Sequence, residues 1–181
     1  MVHISAFSKA ERAEFNQYWY SASTIESIVL ELKQADLGRV AFLSTPSLFF
    51  ALDDPKAVLF DFDASLGAQL GERFVHFDFR DLASLPTALL GQFDAVVVDP
   101  PFISAPVWEA YAEAARKLGK SDGPVKFLGT TVQENGELMK RLFGASEAPF
   151  KPAIPTLVYQ YSLFANFSLQ NRLAAPNPEL A

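Results

Sequence analysis

Three features of this sequence predict an α/β fold in which a largely parallel sheet is flanked by helices. Five short apolar runs, at 39–43, 57–60, 74–77, 95–98 and 125–128, alternate with segments of helical pattern, which is the rhythm of a parallel sheet. A sixth apolar run, 157–167, carries Val158, Tyr159, Tyr161, Leu163, Phe164 and Phe167 with no helix after it, and reads as one long strand or the arm of a hairpin. The 181 residues, half of them hydrophobic and 20% charged, suffice for one buried core and require no second domain. One domain is therefore expected over 1–181: a helical segment at 1–38, the α/β core at 39–169, and a flexible tail at 174–181, where Pro176 and Pro178 leave the chain to fray.

Taken in order, Ser8-x-x-Glu11 is a capping-box pattern that opens a first helix toward Tyr20, and Ser23-x-x-Glu26 opens a second. In the second, Ile25, Ile28, Val29 and Leu32 recur at helical spacing on one face, and Gly38 supplies a stop. A helix at 46–52 follows the first strand, with Ser44 or Thr45 able to cap it and Pro46 suited to its first turn. After the strand at 57–60, Asp63 fits the N-cap of a helix at 64–70. The strands at 74–77 and 95–98, a helix at 106–118, the turn at 120–124 and the strand at 125–128 continue the alternation. A last helix, 132–143, is expected with Thr131-x-x-Glu134 as its cap and Gly144 as its end.

Composition narrows the chemistry. Seventeen phenylalanines are expected to fill much of the core. There is no cysteine, so neither disulfides nor a thiolate zinc site can form, and only His3 and His76 offer imidazole ligands; no metal centre is expected. His76 lies in an apolar strand pattern and reads as a hydrogen-bonded structural histidine, His3 as part of a loose terminus. A net charge of -6 and a pI of about 4.9 argue against nucleic acid as a partner and suit a basic protein better. No run of 18 apolar residues and no basic-then-apolar leader is present, so a cytoplasmic chain with no membrane contact is expected.

The most informative stretch is Asp99-Pro100-Pro101-Phe102, directly after the apolar run that ends at Val98. In open α/β sheets ligands bind just outside the carboxyl ends of the strands, so a carboxylate and an aromatic there mark a site. Two prolines stiffen the loop and bias the carbonyls of Asp99 and Pro100 outward, where they can accept hydrogen bonds from an amine. The same tetrapeptide also fits a rigid turn with a capping aspartate. Asp61, at the end of the second strand, is placed to accept both hydroxyls of a ribose, with Asp63 as its competitor. Tyr18, Trp19 and Tyr20 are three consecutive aromatics that cannot all face one core, so at least one lines a site or stays exposed; a hydrophobic lid on the sheet is the alternative.

Asp-Pro-Pro-Phe resembles the catalytic loop of S-adenosylmethionine-dependent methyltransferases that modify planar or amine nitrogens. Two further stretches, Asn16-Gln17-Tyr18-Trp19-Tyr20-Ser21 and Ala41-Phe42-Leu43-Ser44-Thr45-Pro46-Ser47-Leu48, are similar to the elongation factor 1-alpha lysine methyltransferase family, whose members were once described as adenine methyltransferases. The similarity runs from about 15 to 167. It implies a Rossmann-like methyltransferase fold with an antiparallel C-terminal strand or hairpin, S-adenosylmethionine as cofactor, and a monomer that methylates a lysine of elongation factor 1-alpha. The glycines usual after the first strand of such folds are missing, and Ser44-Thr45-Pro46-Ser47 stands there, as it does in this narrower family. The resemblance assigns cofactor binding to Ser44, Thr45, Pro46, Asp61, Asp99 and Asp78, the last near the adenine amino group. It places Tyr18, Trp19 and Tyr20 over the cofactor and the substrate entry, where an aromatic face attracts an ammonium or a sulfonium.

Catalysis falls to Asp99, Pro100, Pro101 and Phe102. A carboxylate beside an amine favours the ammonium, so Asp99 is expected to capture and orient the amine hydrogens, with the Pro100 carbonyl and the Phe102 ring completing the cage. No general base is evident, and solvent is left to take the proton. An adenine N6- or glutamine N5-methyltransferase shares the loop, and a catalytically silent, methyltransferase-like binding subunit is the reading from another class.

Overall fold

The structure, a computed structural model, describes residues 9–181. Seven strands form one sheet: β1 (Val40–Leu43), β2 (Val58–Asp61), β3 (Phe74–His76), β4 (Ala95–Val98), β5 (Lys126–Val132), β6 (Ser146–Glu147) and β7 (Tyr161–Ala165). Their order is β3-β2-β1-β4-β5-β7-β6. The first five are parallel, and β7 runs antiparallel to both β5 and β6. Every residue of β1, β2 and β4 is buried, as continuous apolar runs covered on both faces require.

Alternation along each strand builds two cores. Phe42, Leu59, Val97 and Leu163 meet α1 (Ala22–Gln34) and α2 (Pro46–Leu52) on one face. On the other, Leu43, Phe60, Val98 and Phe164 meet α3 (Ala105–Leu118) and α4 (Gly136–Phe143). Phenylalanine does fill much of this interior: the ring of Phe127 stacks 3.8 Å from Phe143, and Trp108 meets both edge-on. Because β1 sits between β2 and β4, the chain leaves it in opposite directions, and the crevice at that reversal is where the fold places ligands.

Several expected elements differ. Between 9 and 20 there is no long helix, only a 3-10 turn, Ala13–Phe15, which Asn16 ends in the left-handed region. Ser8 of the supposed capping box lies outside the described residues, as does His3, and the Glu11 carboxylate instead accepts the Trp19 amide and the Thr156 hydroxyl. Helix α1 is capped by Ser21, whose oxygen accepts the Thr24 amide at 3.1 Å; Ser23 lies inside the first turn. The segment after Asp63 closes only a 3-10 turn, Ala64–Gly67, and Gly67 packs so closely on Phe74 that a Cβ would lie 2.3 Å from its ring. Pairing with β7 keeps β5 extended to Val132, so Thr131 is no helix cap and binds Trp108 and Asn135 instead. His76 is exposed, its ring 5.3 Å from Phe62, not buried in the core. No helix among the described residues is long and apolar enough to cross a membrane.

Residues 174–181, where fraying was expected, carry a 3-10 turn, Pro178–Leu180, and bury Asn177. Its side-chain amide donates to the Lys151 carbonyl at 2.9 Å and its oxygen accepts the Glu179 amide at 3.0 Å, while Glu179 in turn accepts the Ser21 hydroxyl. Asn177→Ala is therefore expected to lower stability by about 1–3 kcal/mol, the range for stranding buried polar partners, as read by urea unfolding. An unchanged midpoint would show that this segment is not held as described.

Candidate active site

The carboxyl ends of β1, β2 and β4 open onto one cavity of about 360 Å³. After β1 the backbone turns sharply at Ser44, whose φ of 59° is unusual for a residue other than glycine. The Ser44 amide donates to the Phe60 carbonyl at 2.8 Å and its hydroxyl meets that of Tyr111 at 2.7 Å, which hold the strained turn. This is how the chain makes the turn without the missing glycine. Thr45 stands at the N-cap position of α2, but its hydroxyl donates to the Val97 carbonyl, and Pro46 occupies the first turn as expected.

Asp61 is the last residue of β2 and only 7% exposed. Its Oδ1 accepts the Asp63 amide at 2.8 Å, and burial pushes its carboxyl up to about 7. Asp63 does not face the cavity. Its carboxylate takes the Ser65 amide and hydroxyl, the Gln17 amide and the Arg12 guanidinium, so it is a cap and an ion-pair partner. Asp78, beyond β3, borders the cavity but is gripped by Arg80, whose hydrogen bonds hold it below the usual carboxylate range.

Asp99 follows β4, its amide donating to the Leu43 carbonyl at 3.2 Å. The Tyr20 hydroxyl lies 2.8 Å from its Oδ2, and burial pushes this carboxyl too up to about 7, against the pull of hydrogen bonds from Tyr20 and Thr130. The Pro101 carbonyl is taken by the side-chain amide of Asn16. Phe102 stands at the mouth, 52% exposed.

A family model described as probable N6-adenine methyltransferase matches residues 11–169. A protein-lysine N-methyltransferase of Caenorhabditis elegans is 31% identical over 170 residues, 85% of this chain and 77% of that protein. The chain belongs to this family of methyltransferases. The EEF1A lysine methyltransferase 1 of Danio rerio is 39% identical over 100 residues, 49% of this chain and 60% of that protein. An O-methyltransferase from Bacillus cereus, solved in complex with SAH, has the same fold, with a TM-score of 0.55 at 14% identity over 84% of each chain. The family resemblance and the Rossmann-like methyltransferase fold read from the sequence both hold.

In this methyltransferase one cavity brings together Ser44, Thr45, Pro46, Asp61, Asp78, Asp99, Pro100, Pro101 and Phe102, with Tyr18, Trp19 and Tyr20 along one wall. The three aromatics separate as their adjacency requires. Tyr20 is buried against Asp99, whereas Tyr18 is 39% exposed at the rim. Trp19 binds back to Lys9 and Glu11. Sequence reasoning missed Tyr111, which reads as one more apolar position of a helix, and Thr130, which lies beyond the apolar run that marked β5. Among the described residues no group of three or more His, Cys, Asp or Glu is arranged to hold a metal ion.

Proposed function

We propose that this protein transfers a methyl group from S-adenosylmethionine to a lysine of translation elongation factor 1-alpha. The observation that carries the reading is that Asp61, buried at the end of β2, and Asp99, partly buried at the end of β4, border one cavity rimmed by exposed aromatics.

The residues present fit the cofactor. Asp61 is a buried acceptor with capacity for the two ribose hydroxyls, and Asp78 and the turn at Ser44, Thr45 and Pro46 line the same cavity, which supports the adenine and backbone contacts that the resemblance implies. When bound, S-adenosylmethionine supplies an electrophilic methyl on a sulfonium. The protein's task is to present a neutral amine. A lysine has an ordinary pKa of ~10.4, and freeing its nitrogen at neutrality costs ~4.6 kcal/mol. Entry into a largely apolar cavity lowers that pKa, and Asp99 orients the nitrogen through its hydrogens, with Phe102 and Tyr18 offering ring faces to the cation. Holding the nucleophile at ~3–3.5 Å is itself worth ~7–11 kcal/mol of barrier.

A protein substrate is favoured by the rim. Tyr18, Phe62 and Phe102 border the cavity, and Val158 and Tyr159, 94% and 48% exposed, lie between Leu157 and Tyr161 of its wall. Such a concentration of exposed apolar groups suits a macromolecular partner more than a free small molecule. The name of the family model favours a second reading, transfer to adenine, against which the net charge of -6 stands.

Mass spectrometry after incubation with labelled cofactor tests the reading, with elongation factor 1-alpha, duplex DNA and a glutamine-bearing release factor as parallel substrates. One labelled lysine is the expected result, and label on adenine or glutamine would replace it with the corresponding alternative. Duplex titration at low salt is expected to give weak or no binding; tight binding with a steep salt slope would restore the adenine reading.

A further inference from the structure

The Tyr20 hydroxyl lies 2.8 Å from Oδ2 of Asp99 and 2.6 Å from Oγ1 of Thr130. Tyr20 precedes α1 and Thr130 lies in β5, so three separate parts of the chain meet at one carboxylate. Tyr20 is 6% exposed and Thr130 1%, which leaves little room for water to take the place of either hydroxyl. The Tyr20 hydroxyl has one proton, and donating it to the ionised carboxylate leaves its oxygen to accept from Thr130, so Asp99 is the terminal acceptor of the chain.

We propose that Tyr20 and Thr130 are positioning residues that fix Asp99 so that its remaining lone pairs face the cavity and take the proton of the substrate ammonium. The inference rests on the lysine reading above and supplies the base that the sequence left unassigned. In the step, one N–H bond of the ammonium breaks, its electron pair stays on nitrogen, and the proton bonds to a free carboxylate oxygen of Asp99. An ionised carboxylate has about four acceptor positions, and two hydroxyls do not exhaust them.

The electrostatics agree with the geometry. Burial raises Asp99 to about 7, which makes it a stronger proton acceptor than an exposed aspartate, and the two hydroxyls keep it from rising further. Tyr20, Tyr111 of α3 and Tyr161 of β7 also surround the carboxylate, and burial raises all three phenols above their ordinary range, so they stay neutral as Asp99 titrates. Among the described residues the other charged groups on the cavity are Asp61, Asp78, Arg80 and Glu14.

The test is the pH profile of kcat/KM at saturating cofactor for the wild type, Tyr20→Phe, Thr130→Val and Thr130→Ser. Wild type is expected to show an acid limb near 7. In Tyr20→Phe and Thr130→Val, loss of a stabilising hydroxyl moves that limb up by about one unit and lowers kcat/KM at pH 7 by about fivefold, with most of the rate regained at higher pH. Thr130→Ser keeps the hydroxyl and restores the wild-type limb. Cofactor affinity by calorimetry stays unchanged in all three. A rate loss with an unmoved limb, or no change at all, overturns the proposal; should Tyr20→Phe fail to fold, the Val and Ser variants at 130 decide it. Failure of the lysine reading shows separately, as label on another acceptor in the wild-type reaction.

Discussion

Asp99→Asn is expected to lower methyl transfer by about 10²–10⁴-fold, the span associated with a positioned acid or base, while leaving cofactor affinity nearly intact. The amide retains an oxygen for the Tyr20 hydroxyl but has no charge to orient an ammonium and no site for its proton. Phe102→Ala should act in the same direction more mildly, since a lost cage wall removes only ~0.5–2 kcal/mol of cation–π attraction. Stability should move the other way. The carboxyl of Asp99 is raised by burial, so its contribution is fully present below about pH 4 and is lost as pH rises toward 7. Above 7 the desolvated anion is a net burden of about 1–4 kcal/mol, and Asp99→Asn removes it. Thermal unfolding of ligand-free protein at pH 5 and pH 8 reads this directly: the variant should gain markedly more at pH 8 than at pH 5. Normal turnover, or a defect confined to cofactor binding, would leave Asp99 as a mere turn residue.

What the sequence disclosed and what it hid divide along physical lines. The strand at 95–98 is legible to the residue because burial on both faces allows nothing but apolar side chains there, and Asp99 breaks the run with a charge. Asp61 and Asp63 are two residues apart in similar company, yet capping geometry already favoured Asp63 for the helix side, and the structure gives it the Ser65 amide. The first helix failed because Glu11 serves a distant partner, Thr156, 145 residues away, which no local pattern encodes. Thr130 was hidden for a related reason. Pairing with β7 prolongs β5 past its apolar run, and a threonine in an unmarked loop carries no chemistry until the fold sets it against Tyr20. Asn177 likewise acquires meaning only through Lys151 and Thr24.

Asp61→Ala is expected to weaken S-adenosylmethionine binding by about 1.5–3 kcal/mol, roughly 10- to 150-fold, the range for losing a charged hydrogen-bond acceptor. The affinity of the wild type should also depend on pH. Burial lifts the Asp61 carboxyl to about 7, whereas accepting two hydroxyl hydrogens requires the ionised form, so binding rises with pH up to about 7 and then levels off. Below 7 the association constant should fall by up to about tenfold per unit, with one proton released on binding, and Asp61→Ala should flatten that dependence as well as lower its plateau. Calorimetry across pH 5.5–8.5 in buffers of different ionisation enthalpy measures both. Asp63→Ala is the control. Its carboxylate is already committed to Ser65, Gln17 and Arg12, so this variant should lose about 1 kcal/mol of stability, the typical worth of an N-cap, and keep its cofactor affinity and its pH dependence. The opposite pattern, with Asp61→Ala binding normally and Asp63→Ala binding poorly, would require Asp63 to leave three partners and turn its 2% exposed side chain into the cavity. It would discard Asp61 as the ribose contact.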